Sequence, residues 1–142
     1  MPIPAFSSAW AEAFLVAVNG DTTYREAAKG WTNPVALLVE PGPGVADGAA
    51  VQVDLDAGTC LSAAAIAPDA VTAPFVLAAD LATWKEIVSG ASDPIMAVVR
   101  GKVKLARGSL ATLMLHARGA KALVACAQQI DTLWPQANGD SS

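Results

Sequence analysis

The residues of this chain best suited to chemistry are four carboxylates and a single imidazole. Asp54 and Asp56 alternate with apolar residues, so they share the polar face of one predicted strand. Carboxylates bind a divalent cation as part of a larger set of oxygen ligands at defined spacing. No such set surrounds them in the sequence, so the pattern favours a solvated sheet face over a metal site.

Asp80 and Asp93 each stand directly before an apolar helical segment. Desolvation in an apolar pocket raises the pKa of a carboxyl group, which could then act as a base. Helix capping explains both positions without catalysis, because an N-terminal Asp accepts hydrogen bonds from free backbone N–H groups.

His116 is the only histidine, and the nearby "RGSLA" lacks the GxSxG pattern of a nucleophilic serine. The sequence predicts no catalytic residue, no metal and no cofactor.

Two further stretches could contact a ligand. The loop "GPGVADG" has Asp47 where a dinucleotide-binding fingerprint needs glycine, and a strand rather than a helix follows it. A loop between strands is therefore predicted. A basic strip surrounds a later strand and consists of Arg100, Lys102, Lys104 and Arg107. Such residues commonly protect an edge strand, and they could also contact anionic lipid headgroups.

Composition limits the class of protein. Of the 142 residues, 54% are hydrophobic and 15% are charged, and the net charge is −4. Nucleic-acid-binding proteins carry a strong basic footprint, so no nucleic acid is expected as a partner. No apolar run reaches the ~18 residues that a membrane span needs, and the N-terminus lacks the pattern of a secretory signal. Cys60 and Cys126 lie in apolar runs without a CxxC motif, which favours a reduced, cytoplasmic protein. A disulfide between them stays open.

Hydrophobic periodicity predicts the order helix, helix, four strands, two helices, a strand and two helices. The first helix carries a stripe of Trp10, Phe14 and Val18, and one strand alternates cleanly in "AAVQVDLDAG". Consecutive strands with short turns indicate an antiparallel meander, and the later helices indicate one covered face. The predicted fold class is α+β, with a roughly five-stranded, mainly antiparallel sheet and helices packed on one face.

Two local patterns concern helix ends. Thr23 and Glu26 have the spacing of a capping box, with Gly30 closing that short second helix. The last helix is predicted to continue through Trp134 and to end at Pro135, because apolar residues recur at helical spacing up to that point. A single domain is predicted over residues 1–135, with a polar tail at 136–142.

One composite stretch is more specific than any single motif. It reads "ADLATWKEIVSGASDPIMAVVRGKVKLARGSL" and joins an acidic cap, a Trp-bearing helix, glycine, an Asp-Pro helix, a Gly-Lys strand and glycine before another helix. This stretch resembles the sterol carrier protein 2 family, in the manner of its stand-alone bacterial members. The resemblance extends over roughly residues 6 to 133.

The resemblance implies a non-catalytic carrier whose sheet and helices enclose an apolar tunnel for a lipid. A fatty acyl chain, acyl-CoA, a phospholipid or a sterol-like molecule would then be the small hydrophobic partner. Transient membrane contact and a homodimer remain open. The expected ligand-binding residues are the inward apolar residues of the matched stretch, namely Trp84, Ile87, Val88, Met96, Val99, Val103, Leu105, Leu110, Leu113 and Met114.

Two other functions remain open at this stage. One is a small isomerase or hydrolase that uses Asp80, Asp93 or His116 inside the same cavity, and a strongly shifted pKa facing that cavity would distinguish it. The other is a non-catalytic dimerisation or interaction module, which a filled core and a large exposed apolar patch would favour.

Overall fold

The computed structural model describes residues 2–135 of the protein. The helices of this part are α1 (Ser8–Asn19), α2 (Thr22–Ala27), α3 (Leu81–Val88), α4 (Pro94–Val99), α5 (Leu110–Leu115) and α6 (Ala117–Gln128). The strands are β1 (Ile3–Pro4), β2 (Val35–Val39), β3 (Ala49–Asp56), β4 (Thr59–Ile66), β5 (Phe75–Ala79), β6 (Lys104–Arg107) and β7 (Thr132–Leu133). The predicted polar tail at 136–142 lies outside the described residues.

Five strands form the main sheet in the order β4-β3-β2-β5-β6. The pairs β2–β3, β3–β4 and β5–β6 are antiparallel, which confirms the predicted α+β class and the mainly antiparallel sheet. The prediction that all consecutive strands form one antiparallel meander was wrong. Strand β5 lies beside β2 and runs parallel to it, with Val35 opposite Phe75. The residues between β4 and β5 form a connection with a 3-10 turn at Pro68–Ala70 instead of a tight hairpin. Through this connection β5 pairs with the edge of β2 that β3 does not occupy.

The two faces of the main sheet are covered differently. Side chains from all six helices join the larger core on one face. The other face has a smaller cluster in which Ala36 and Ala50 lie under Val71 and Ala73 of the β4–β5 connection. The Gln52 side-chain oxygen accepts from the backbone N–H groups of this connection at 2.9 and 3.0 Å. Alanines on this face therefore leave room for a chain segment, while the helices occupy only the other face.

Local rules predicted several helix starts correctly. The side chains of Asp80, Asp93 and Ser109 each accept a hydrogen bond from a backbone N–H in the first turn of α3, α4 and α5. Gly101 follows α4 with a φ of +80°, a conformation that glycine adopts without steric cost. These signals act within one turn of helix, so the sequence specifies them directly.

The start of α2 differs from the predicted capping box. Asp21 is the N-cap residue, and its carboxylate accepts from the backbone N–H of Tyr24 at 2.8 Å. Thr23 and Glu26 both lie inside the helix, so neither caps it. The helix ends before Gly30, which has no positive φ. The Asp21 carboxylate already satisfies a free donor of the first turn, so the helix begins before Thr23 and a cap at Thr23 has no role.

The end of α6 also differs from the prediction. The helix stops at Gln128, six residues before Trp134. The chain then forms β7, which pairs in parallel with β1 near the start of the protein. Thr132 of β7 also accepts from the indole N–H of Trp10 at 3.0 Å. Contacts with distant residues thus replace the final helical turns that the apolar spacing suggested.

Among residues 2–135, no helix combines the length and apolar character needed to cross a bilayer.

Candidate ligand-binding cavity

An apolar cavity lies between the main sheet and helices α2, α4, α5 and α6. Its volume is about 60 Å³, measured as the space open to the centre of a water-sized sphere. About 10–15 Å³ of such space accommodates one water molecule, so the cavity has room for several groups of that size. Its sheet wall consists of Val35, Leu37, Leu55, Phe75 and Leu77. Its helical wall includes Ile95, Val98, Leu113, Leu123 and Val124.

Small residues on α2 and α6 bring these two helices close together at one side of the cavity. A Cβ atom added to Gly119 would lie 3.4 Å from the carbonyl oxygen of Ala27. Ala28 and Ala120 continue the small surface, and all four residues line the cavity. Side chains this short do not reach the leucines and aromatic rings of the sheet wall, so part of the space between the layers remains unfilled.

Tyr24 contributes a phenol group to this otherwise apolar wall. The residue is 2% exposed. Burial is the main cause that raises the pKa of Tyr24, and the neighbouring thiols of Cys60 and Cys126 raise it further. The phenol is therefore neutral at physiological pH. A neutral phenol can donate one hydrogen bond and accept others.

His116 and Trp31 form the second polar part of the wall. The His116 ring stands edge-on to the Trp31 ring, with 5.1 Å between the ring centroids. The indole N–H of Trp31 already donates to the carbonyl oxygen of Asn33 at 2.7 Å. The half-buried imidazole of His116 is thus the polar group that remains at this edge of the cavity.

The carboxylates singled out in the sequence lie elsewhere. Neither Asp80 nor Asp93 lines the cavity. Hydrogen bonds from Thr83 lower the pKa of Asp80, and the backbone N–H of Met96 is the main cause that lowers the pKa of Asp93. A cavity base would need a raised pKa, so capping is the role that the geometry gives to both residues. Among the described residues, no group of three or more His, Cys, Asp or Glu side chains could hold a metal ion.

Comparison with known proteins identifies the family. A model of the SCP-2 sterol transfer family matches residues 13–118. The chain belongs to this family. Membership supports a lipid-binding or lipid-transfer role, and it confirms the resemblance seen in the sequence. No curated protein matches the chain significantly.

Solved structures of the family share the fold described above. A crystal structure of sterol carrier protein 2 is 39% identical, with a TM-score of 0.85 over 89% of this chain and 98% of the other. The solution structure of a conserved hypothetical protein from Thermus thermophilus is 38% identical, with a TM-score of 0.83 over 90% of each chain. Sterol carrier protein 2 from Yarrowia lipolytica, in its apo form, is 12% identical, with a TM-score of 0.55 over 82% of this chain and 88% of the other, and shows a similar fold.

The ten ligand-binding residues predicted from the sequence fall into three groups. Leu113 lines the cavity. Trp84, Ile87, Val88 and Val103 are buried, and Leu105 is half-buried, but all five pack outside the cavity wall. Met96, Val99, Leu110 and Met114 are 43 to 56% exposed. Contact of these ten residues with a ligand stays a prediction.

Sequence reasoning did not single out several members of the wall. Tyr24 and Trp31 lie upstream of the family-like stretch, and the sheet residues Leu37 and Phe75 belong to strands that were predicted without a role. His116 was considered inside the cavity only as a catalytic residue and not as a group that orients a ligand. The combination of a polar group with a large apolar body in Tyr24 and Trp31 was the available signal, because such residues suit the edge of a ligand site.

Proposed function

We propose that this protein is a non-catalytic carrier that holds a linear fatty acyl chain, as a fatty acid or acyl-CoA, in the cavity between the sheet and the helices. The observation that carries the proposal is an apolar cavity with two polar side chains, Tyr24 and His116, in a member of a lipid-transfer family. Ligand pockets of this kind use a few polar groups to orient a mostly apolar ligand. Here the phenol and the imidazole would contact the polar end of the lipid.

The free energy of binding would come mainly from the acyl chain. Each CH₂ group that leaves water contributes about 0.8 kcal/mol, so ten of them supply about 8 kcal/mol before the costs of ordering are subtracted. Such a gain is sufficient for binding without any chemistry at the site.

A long acyl chain needs more space than the cavity offers. Helices α4 and α5 each have only six residues and each contributes residues to the wall. Short helices with few buried residues open at low free-energy cost. We therefore expect α4 and α5 to move outward when a lipid enters. A flexible acyl chain can fill such a space progressively, whereas a rigid sterol needs it preformed, which favours the acyl chain.

A reducing compartment such as the cytoplasm suits this protein. Cys60 and Cys126 are both free and buried. Burial raises the pKa of Cys60 to about 11 and that of Cys126 to about 12. Both thiols are therefore protonated at neutral pH and act as small core side chains.

The test combines identification of a bound molecule with a blocked cavity. Native mass spectrometry with organic extraction should detect a bound fatty acid that added acyl-CoA displaces. Ala120→Leu puts a larger side chain into the cavity wall, and Ala125→Leu adds the same side chain on the exposed face of the same helix. We expect Ala120→Leu to weaken fatty-acid binding at least tenfold and Ala125→Leu to leave it unchanged. A clean apo mass, with no fluorescence change on titration with fatty acid, acyl-CoA or sterol, would contradict the proposal.

A further inference from the structure

Charge is distributed unevenly along this acidic chain. Residues 94–130 contain six of the nine Lys and Arg residues and none of the thirteen Asp and Glu residues. This range comprises α4, β6, α5 and α6. A positively charged region is thus built into a protein whose net charge is −4.

Three of these six cations are engaged with neighbouring groups. Lys104 pairs with Glu40 at 3.1 Å, and Lys121 pairs with Asp93 at 3.3 Å. Arg107 donates to two backbone carbonyls of the β4–β5 connection.

The other three cations are Arg100, Lys102 and Arg118. They are exposed, and none of them forms a salt bridge within the part of the chain that the structure describes. Arg100 and Lys102 follow α4, and Arg118 lies in the first turn of α6, directly after α5. Free positive charge is therefore found next to both of the short helices.

The same short helices carry most of the exposed apolar side chains. Five of the eight large hydrophobic residues that are exposed within residues 2–135 lie on α4 and α5, namely Met96, Val99, Leu110, Met114 and Leu115. The inward faces of these helices supply Ile95, Val98 and Leu113 to the cavity wall. Each helix is thus apolar on the side that faces the cavity and on the side that faces solvent.

We propose that the outer faces of α4 and α5, together with Arg100, Lys102 and Arg118, form a docking surface for a bilayer of anionic phospholipids. Apolar side chains on such a surface enter the boundary between headgroups and acyl chains, while the cations attract anionic headgroups. A bilayer fits better than a protein partner, because exposed apolar residues and cations without a salt bridge occur together on elements that border the apolar cavity. The proposal deepens the proposed function, since docking would place the cavity wall against the lipid source.

The first experiment measures binding to sedimented vesicles of 70% phosphatidylcholine and 30% phosphatidylserine. The test variant combines Arg100→Gln, Lys102→Gln and Arg118→Gln. The control variant combines Arg25→Gln, Lys29→Gln and Lys85→Gln, which are the three cations outside residues 94–130. Both variants have the same net charge. We expect the test variant to bind these vesicles at least tenfold more weakly than the wild type and the control variant to bind within twofold. Wild-type binding to pure phosphatidylcholine vesicles should be much weaker.

The second experiment tests the apolar part of the surface with the same vesicles. The test variant combines Val99→Ser, Leu110→Ser and Leu115→Ser, and the control variant combines Val16→Ser, Leu61→Ser and Leu133→Ser. The control residues are the other exposed large hydrophobics, 53 to 68% exposed. We expect at least a fivefold loss of vesicle binding in the test variant only, with circular dichroism confirming that all variants fold.

Three results would overturn the docking surface. The wild type could fail to bind anionic vesicles, or the paired variants could lose binding equally. Size-exclusion chromatography could instead show a dimer that only the test variants dissociate, with vesicle binding unchanged, which would assign the surface to a second copy.

Fatty-acid titration separates this proposal from the proposed function. The Arg100, Lys102 and Arg118 variant should keep wild-type affinity for fatty acid in solution, and a wild type that binds vesicles but no fatty acid would contradict only the carrier role.

Discussion

The imidazole of His116 packs edge-on against the indole of Trp31, with ring planes 76° apart and centroids separated by 5.1 Å. Phe75 meets the same indole from the sheet, at 4.8 Å between centroids. All three rings line the cavity. Trp31 therefore lies where a bound lipid would change its surroundings.

Trp31→Phe should remove most of the tryptophan fluorescence change that fatty-acid binding causes. Trp10 and Trp84 are buried away from the cavity, and their N–H groups bond to Thr132 and to the Leu38 carbonyl. Their environment should change little on binding. Titration followed by tryptophan emission checks this, with Trp134→Phe as the matched control outside the cavity wall. If Trp134→Phe removed the signal and Trp31→Phe kept it, the lipid would bind elsewhere.

Gly108→Ala should cost more stability than Gly101→Ala. Both glycines have positive φ, +105° and +80°, so alanine strains the backbone at each by about 1–2 kcal/mol. At Gly108 the new Cβ would also lie 2.6 Å from the ring of Phe75, whereas at Gly101 it meets nothing within 4 Å. Urea denaturation should show an additional loss of at least about 1 kcal/mol for Gly108→Ala. Because the ring that must shift lines the cavity, this variant should also bind fatty acid more weakly. Equal losses of stability would contradict the tight contact.

Asp93→Ala should destabilise α4, and Asp93→Asn should largely preserve it. The carboxylate accepts from the backbone N–H groups of Ile95 and Met96 at 2.8 and 3.2 Å. Loss of such a cap costs about 1 kcal/mol, and asparagine replaces it well. The pKa of Asp93 is lowered below its ordinary value of 3.8, so its charged form stabilises the fold above that pH. This contribution disappears as the pH falls below about 4. Urea unfolding at pH 7 and pH 3 should show a smaller pH dependence for Asp93→Asn than for the wild type.

Alkaline conditions should destabilise the protein, and its two buried thiols should contribute together with the buried phenol of Tyr24. The pKa values of the thiols rise from 9.0 to about 11 for Cys60 and about 12 for Cys126, mainly because burial disfavours the thiolate. Above pH 9 the unfolded chain releases these protons before the folded chain does, so stability decreases as the pH rises through 11. Urea unfolding in reductant at pH 7, 9 and 10.5 measures the slope. Cys126→Ala should show a shallower slope than the wild type, and identical slopes would contradict the buried-thiol origin.

Local signals predicted the parts of the fold that depend on neighbouring residues. The caps at Asp80, Asp93 and Ser109 depend on contacts within one helical turn, and the alternation in β3 follows from one buried face. The parallel pairing of β2 with β5 joins residues about forty positions apart. Hydrophobic spacing specifies which face of a strand is buried, but it does not specify which strand lies beside it.

The cavity was harder to predict than the core. An apolar pattern indicates that a side chain leaves water, but it does not distinguish close packing from the edge of a void. Ile87 is completely buried and packs in the core, whereas Leu113 is also buried and lines the cavity. The pattern also fails on short helices such as α4, where Met96 and Val99 face solvent although their residue types suggest burial.

The pairing of Ile3 with Thr132 places a constraint on the order of events during synthesis. A ribosome that adds roughly 5–20 residues per second needs roughly 6–26 seconds to make the chain between these two partners. Throughout that interval the indole N–H of Trp10 lacks the threonine oxygen to which it finally bonds. The first helix therefore keeps its Trp10 indole without this partner until almost the last residue of the described fold has been made.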